Sequence, residues 1–152
     1  FTRIYEELGS HEPLWILLDL VIPRNQVPSD IILSTDIAGI EIFADPMFEK
    51  VFFNLLDNSL RHGMTVSEIR VSARKENDFL IVIWEDNGVG IAEKEKEKIF
   101  HRGFGKNNGL GMFLVREILS LTDITITENG KQGTGARFEI RVPYQSYRFT
   151  MP

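Results

Sequence analysis

The 152-residue chain contains no cysteine, which excludes disulfide frameworks, thiolate metal sites and cysteine nucleophiles and fits a reducing compartment. Positive charge is not in excess either. Twenty-two acidic side chains against 17 basic ones leave a net charge of −5. A broad nucleic-acid surface needs a basic face, so nucleic acid is not an expected partner. Long apolar runs are also missing. The longest, Leu14 to Pro23, is broken by Asp19 and falls well short of the roughly 20 residues a bilayer demands. It lacks the basic leader and small-residue cleavage site of a signal peptide. We therefore expect a cytoplasmic location with no membrane contact by these residues, although a parent protein could be membrane-attached. There is no internal repeat and no low-complexity tract.

What is present is 43% apolar and 11% aromatic residues, an ordinary composition for one domain with one core. Residues 1 to 26 differ from the rest. Phe1 to Leu8 reads as a helix tail that Gly9 closes, and Trp15, Leu17, Leu18 and Val21 space as a short amphipathic helix before Pro23. With Phe1 in place of an initiator methionine, this segment is expected to be a connector from an upstream domain, and residues 27 to 152 the domain itself. The alternative is that it forms the first helix of the core.

Ile31 to Thr35 and Gly39 to Phe43 read as strands around the Asp36-Ile37-Ala38 turn. Asp45-Pro46 predicts a helix start, with Asp45 as N-cap, and Gly63 a helix end just past His62. Ile69, Val71 and Ala73 alternate with polar residues, as in a half-buried strand. Leu80 to Trp84 is almost wholly apolar and should be central. Ala92 to Lys98 reads as a charged helix with a solvated face, and Leu110 to Leu121 as an amphipathic helix. Asp123 to Thr127 and Ala136 to Val142 predict a hairpin with Ala136, Phe138, Ile140 and Val142 facing inward. The expected class is α+β: a two-layer α/β sandwich whose mixed, largely antiparallel sheet is covered by helices on one face.

Three motifs carry candidate chemistry. Asn54 and Asn58 are four residues apart and share a helix face, which Arg61 extends. Amide oxygens are hard neutral ligands suited to Mg²⁺, and Arg61 could meet a phosphate. The helix alone is equally open to a second reading, surface amides bonding nearby loops. Asp86 ends the apolar strand, where a carboxylate is costly unless paired. It could accept the exocyclic amine of adenine, with Gly88 and Gly90 letting the backbone approach the ring. The other reading is a tight turn with Asp86 bonding its own loop. Gly109-Leu110-Gly111 opens a helix whose free amides and dipole would suit phosphate, unless it is simply a glycine-rich helix start. Other signals carry less. Gly88-x-Gly90 and Gly109-x-Gly111 lack the third glycine of a dinucleotide fingerprint, with Glu93 and Leu114 at those positions. Gly130 to Gly135 is followed by Ala136-Arg137 and not by the Lys-Ser/Thr of a P-loop. His11, His62 and His101 do not space as a metal cluster.

In this order, over about residues 29 to 143, the motifs resemble the ATP-binding domain of sensor histidine kinases, within the GHKL ATPase superfamily. Asn54 to His62 looks like its N box, Asp86 to Gly90 its first glycine box, Ile99 to Phe104 its F box, and Gly133-Thr134-Gly135 its last glycine box. The resemblance implies a Bergerat-type fold and ATP with Mg²⁺. Asn54 would be the principal Mg²⁺ ligand. Asn58 would sit beside it, a further metal ligand in the second instance. Arg61 matches a position where relatives often carry a phosphate-contacting lysine, and His62 one near the nucleotide. Asp86 would bind adenine, Ile91 would pack near the base, and Thr134 would support the contact through its hydroxyl. Gly109, Leu110 and Gly111 would cradle phosphates. Gly105 to Asn108 would be the ATP lid, with Lys106 the candidate γ-phosphate contact and Arg102 a weaker one. Asn54, Asn58 and Lys106 are thus the catalytic candidates.

Hydrolysing relatives carry a glutamate at the position of Asn54, so its absence implies phosphoryl transfer to a protein group. The acceptor would be a histidine on an upstream dimerisation and phosphotransfer helical domain, with a response regulator downstream. None of the three histidines here has the acceptor's setting. Trp15, Phe104 or Phe1 is expected to touch that helical domain. The chain departs from the family in its very short lid and in Gly103-Phe104 of the F box. Two alternatives stand beside this reading: a serine/threonine protein kinase of the anti-sigma-factor type, and a non-catalytic nucleotide-sensing module.

Overall fold

The computed structural model describes residues 6–104 and 111–150. Ten elements organise them: β1 (Leu14–Leu17), β2 (Ile32–Asp36), β3 (Ile40–Ala44), α1 (Phe48–His62), β4 (Glu68–Glu76), β5 (Phe79–Asp86), α2 (Gly111–Ser120), β6 (Thr125–Glu128), β7 (Arg137–Val142) and β8 (Tyr147–Phe149). The main sheet has the order β2-β4-β5-β7-β6, so the apolar β5 is central, as its composition predicts. Only β2 runs parallel to its neighbour; the other pairings are antiparallel. A second sheet, β1-β3-β8, is wholly antiparallel.

The two faces of the main sheet are covered by different means. On the inner face Val71, Leu80, Val82, Trp84, Phe138 and Ile140 meet Phe52, Leu55, Val115 and Ile118 of the two helices in one apolar core. On the outer face Ile81 and Ile83 lie outside the main apolar core, yet both are buried. Their strand neighbours Arg74, Arg141 and Glu139 flank them. Arg141 stacks over Phe79 at 4.1 Å and lies 3.6 Å from Glu76, and Arg137 pairs with Glu85 and Glu139. The aliphatic stems of long charged side chains thus shield apolar surface that a helix would otherwise cover.

Asp45 is not the N-cap predicted for it: α1 starts at Phe48 with Met47 at the N-cap, and Asp45 Oδ2 instead accepts the Met47 N–H at 2.9 Å in the turn before the helix. Gly9 takes φ 75°, fitting the helix end read there. Three further expectations are corrected. Trp15 and Leu17 lie in strand β1, not in a helix, because Leu14–Leu17 pairs with Glu41–Ala44 and Trp15 packs on Phe43 at 5.3 Å. Gly63 follows α1 with φ −74°, and the left-handed residue is Met64 at φ 59°. Ala92 to Lys98 is not a helix: it forms short 3-10 turns at Glu93–Glu95 and Lys98–Phe100. Its Glu/Lys alternation sets Glu93 against Glu97 and Lys94 against Lys98 at i,i+4, where like charges repel in an α-helix. Among the described residues no helix is long and apolar enough to cross a membrane.

Candidate functional site

A cavity of about 330 Å³ opens between α1, the loop after β5 and the start of α2. Its lining includes Asn54, Asn58 and His62 from α1, Gly90 and Ile91 from the loop, and Gly111 from α2. Six of the candidates read from sequence therefore converge. Helical spacing stacks the two asparagines on the pocket side, and a Cβ placed on Gly111 would sit 3.6 Å from Asn54 Oδ1. Among the described residues neither amide is held by a hydrogen bond, which leaves both oxygens available to a ligand.

Asp86 lies at the buried floor of the glycine loop, 8% exposed. Its Oδ1 accepts the N–H groups of Gly88 at 2.9 Å and Ala136 at 3.1 Å. Its Oδ2 accepts the Ser59 hydroxyl at 2.7 Å. Ser59 in turn accepts the indole N–H of Trp84 at 3.1 Å. A carboxylate offers about four acceptor sites, so these three donors leave room for one more. Both readings of Asp86 thus hold together: it bonds its own loop and keeps one acceptor position.

The glycines are required by close approach. A Cβ on Gly88 would come within 2.5 Å of Gly63 O, so Gly88 and the end of α1 are in backbone contact. Gly90 has φ 75°, and a Cβ there would meet Lys131 O at 2.8 Å. Gly135 lies against Asp86 itself, where a Cβ would meet its carbonyl oxygen at 1.9 Å. The hairpin loop of residues 131–135 is therefore the backing of the Asp86 turn. Asn87 points away from the cavity and holds the start of β4, accepting the N–H groups of Ser67 and Glu68.

Other candidates fall elsewhere. Arg61 is outside the cavity lining, in an exposed pair with Asp57 at 2.7 Å. Thr134 is exposed, with its N–H bonded to Lys131 O in the hairpin turn. Lys106, Gly109 and Leu110, with the lid of Gly105 to Asn108, lie outside the described residues, as does Phe1. Asp57, Ala92, Glu95, Ile99, Phe104, Met112 and Gln132 line the cavity without having been singled out as site residues. Ser59 was missed as well. Its signal was available: it adjoins Asn58, and Trp84 and Asp86 are two apart on β5 and so share one face. Glu97 is held below the usual carboxylate range by its hydrogen bond from Arg116, whose guanidinium also stacks on Phe100 at 4.4 Å. This ties the 3-10 wall of the cavity to α2.

The donor chemistry fits a hard cation that brings its own anionic ligands. Among the described residues no three His, Cys, Asp or Glu side chains gather to hold a metal by themselves. Two neutral amide oxygens beside a helix start suit a cation shared with phosphate oxygens.

Comparison with known proteins agrees with this geometry. The profile of the family described as "Histidine kinase-, DNA gyrase B-, and HSP90-like ATPase" matches residues 45–146. The alginate biosynthesis sensor protein KinB of Pseudomonas aeruginosa is 37% identical over 100 residues, covering 62% of this chain and 17% of that protein. The sensor protein KdpD of Escherichia coli K12 is 29% identical, covering 96% of this chain and 17% of that protein. The chain thus spans about a sixth of the length of these relatives. In fold it is similar to the catalytic domain of histidine kinase ThkA, with TM-score 0.71 at 21% identity over 88% of this chain and 97% of that one. The mycobacterial sensor histidine kinase MprB gives 0.70 at 20% identity, covering 88% and 97%. With the profile running from Asp45 through the final hairpin, the chain belongs to the histidine kinase-, DNA gyrase B- and HSP90-like ATPases, as an ATP-binding catalytic domain of the sensor histidine kinase kind.

Proposed function

We propose that this domain binds ATP with Mg²⁺ and presents the γ-phosphate to a histidine on a separate helical domain of the same protein. The observation that carries the reading is the convergence of Asn54, Asn58, Gly90, Ile91 and Gly111 on one cavity, whose glycine loop begins at the buried Asp86 carboxylate, just outside the lining. The remaining acceptor position of Asp86 takes the adenine amine, and Ile91 lies against the base. Asn54, with Asn58 beside it, would hold Mg²⁺. The cation would neutralise phosphate charge. Lys106 is the side chain assigned to the phosphates, and the Gly109 to Gly111 amides cradle them; Arg61 would first have to leave its surface pair with Asp57. The phosphoryl group leaves the β–γ bridging oxygen, and an imidazole nitrogen of the acceptor forms the new bond to phosphorus. The chain supplies positioning and electrostatics. No glutamate stands at the place of Asn54 to activate water, which favours transfer over hydrolysis.

In this reading residues 1–26 connect to the upstream helical domain, the domain works in the cytoplasm, and a response regulator receives the phosphoryl group through the complete kinase. The test is calorimetric titration of ATP and ADP, with Mg²⁺ and with EDTA, on the wild type and Asp86→Ala. Metal-assisted ATP binding that disappears in the variant is expected. Absence of binding by folded wild type would overturn the reading. Transfer is then tested by adding the helical domain in trans. An acid-labile phosphoprotein is expected; an acid-stable one points to serine or threonine, and none at all to a sensing module.

A further inference from the structure

Lys96 sits in a charge run that reads as solvated surface, but it is turned inward. Its ammonium meets Glu128 Oε1 and also donates to Gly130 O at 2.8 Å. The Glu128 side chain is fully shielded from solvent, and that of Lys96 is 15% exposed. Glu128 Oε2 accepts two more donors, the N–H groups of Gly130 and Arg137, each at 2.9 Å. One buried carboxylate at the end of β6 therefore gathers three segments: the 3-10 wall, the mouth of the hairpin loop and the start of β7.

Two of those segments are walls of the cavity. The stretch around Lys96 contributes Ala92, Glu95 and Ile99, and the hairpin loop contributes Gln132. The same loop is bonded to the glycine loop from its other side, where Gly133 N–H donates to Val89 O at 2.7 Å. We propose that Lys96 and Glu128 are positioning residues that fix the two walls of the adenine half of the pocket at a set separation. A solvent-exposed Lys–Glu pair holds little, because water and salt compete for both charges. This pair is desolvated, and each partner has further hydrogen bonds, so its geometry is single-valued. The effect falls on the base end, since Asn54 and Asn58 stand on α1 and touch neither segment's ion pair.

The proposal rests on the adenine-nucleotide reading of the pocket. Its test uses adenosine and ATP with Mg²⁺ as probes, on the double variant Lys96→Met/Glu128→Gln, which removes the ion pair without stranding a buried charge. Measured by calorimetry well below the unfolding temperature, both affinities should fall by the same factor, about tenfold, the scale of a modest misplacement in a site. A general loss of stability would leave the affinity of the folded population unchanged. A folded variant with wild-type adenosine affinity, or one weakened for ATP alone, would overturn the proposal. A second measurement needs no variant. On adding adenosine to the wild type, amide exchange should slow together in residues 94–98 and 129–133; protection of one segment only also overturns it. Failure of the wild type to bind adenosine at all would show itself separately, as failure of the pocket assignment.

Discussion

At the root of the glycine loop, just outside the cavity lining, Asp86 is buried with three hydrogen bonds in place; on the cavity wall, Asn54 and Asn58 are half-exposed and bonded to none of the described residues. The difference follows from the cost of each group. A buried carboxylate without donors would be expensive, so folding itself must satisfy it, and its orientation is settled before any ligand arrives. Neutral amides at a wet helix face cost little unpaired. They can wait for a cation and its phosphates to organise them. On the proposed reading base selection is therefore built into the fold, whereas phosphate and metal capture depend on what enters.

The variant that most sharply breaks this comparison is Asp86→Asn. Its amide cannot accept the Ser59 hydroxyl, two backbone N–H groups and an adenine amine together. Adenosine affinity should fall about 100-fold or more, and stability by about 1–3 kcal/mol, read by calorimetry and denaturant unfolding. Adenosine binding at wild-type strength would mean the base lies elsewhere. Asn54→Ala tests the other end. ATP affinity in Mg²⁺ should drop about tenfold or more while adenosine affinity and unfolding temperature stay put. If adenosine binding fell equally, the two ends would not be separable.

Ser59→Ala sharpens the base end further. It removes one donor from Asp86 and leaves the Trp84 indole N–H without its acceptor. We expect a loss of about 1–3 kcal/mol in stability, a few-fold weaker adenosine binding and an altered tryptophan emission. The smallest effect should lie on neither end. Burial would raise the Glu139 carboxyl, but hydrogen bonds from Asn129 and Arg137 and the charges of Arg137 and Arg74 outweigh it and hold the group below 4.5. Its stabilisation is present above that value and fades as pH falls through the lowered one. Glu139→Gln should flatten this acid limb by less than about 1 kcal/mol, with adenosine binding at neutral pH unchanged.

Much of the site was legible because it depends on periodicity and on burial. Asn54 and Asn58 share a face by helix geometry, and Asp86 stands out as a carboxylate closing an apolar strand. Charge patterns were less readable. The Glu93 to Lys98 run looks like a solvated helix, but its like charges at i,i+4 weaken that helix, and Glu128 and Arg116 draw Lys96 and Glu97 away. Arg61 shares the asparagine helix yet pairs with Asp57 at the surface. Trp15 and Leu17 carry helix-like spacing, but pairing with β3 prevails.

By itself the sequence determined the central place of β5, the helix that carries the asparagines, the inward alternation of β7 and the need for a partner to Asp86. Each follows from the local period and polarity of neighbouring residues. Only the tertiary structure decided that Ser59 and Ala136 satisfy Asp86, that Gly63 and Gly88 touch, and that Lys96 turns inward to Glu128. These are contacts between segments 25 or more residues apart. No local pattern encodes them, because they depend on which buried groups remain unsatisfied once the sheet and helices have packed.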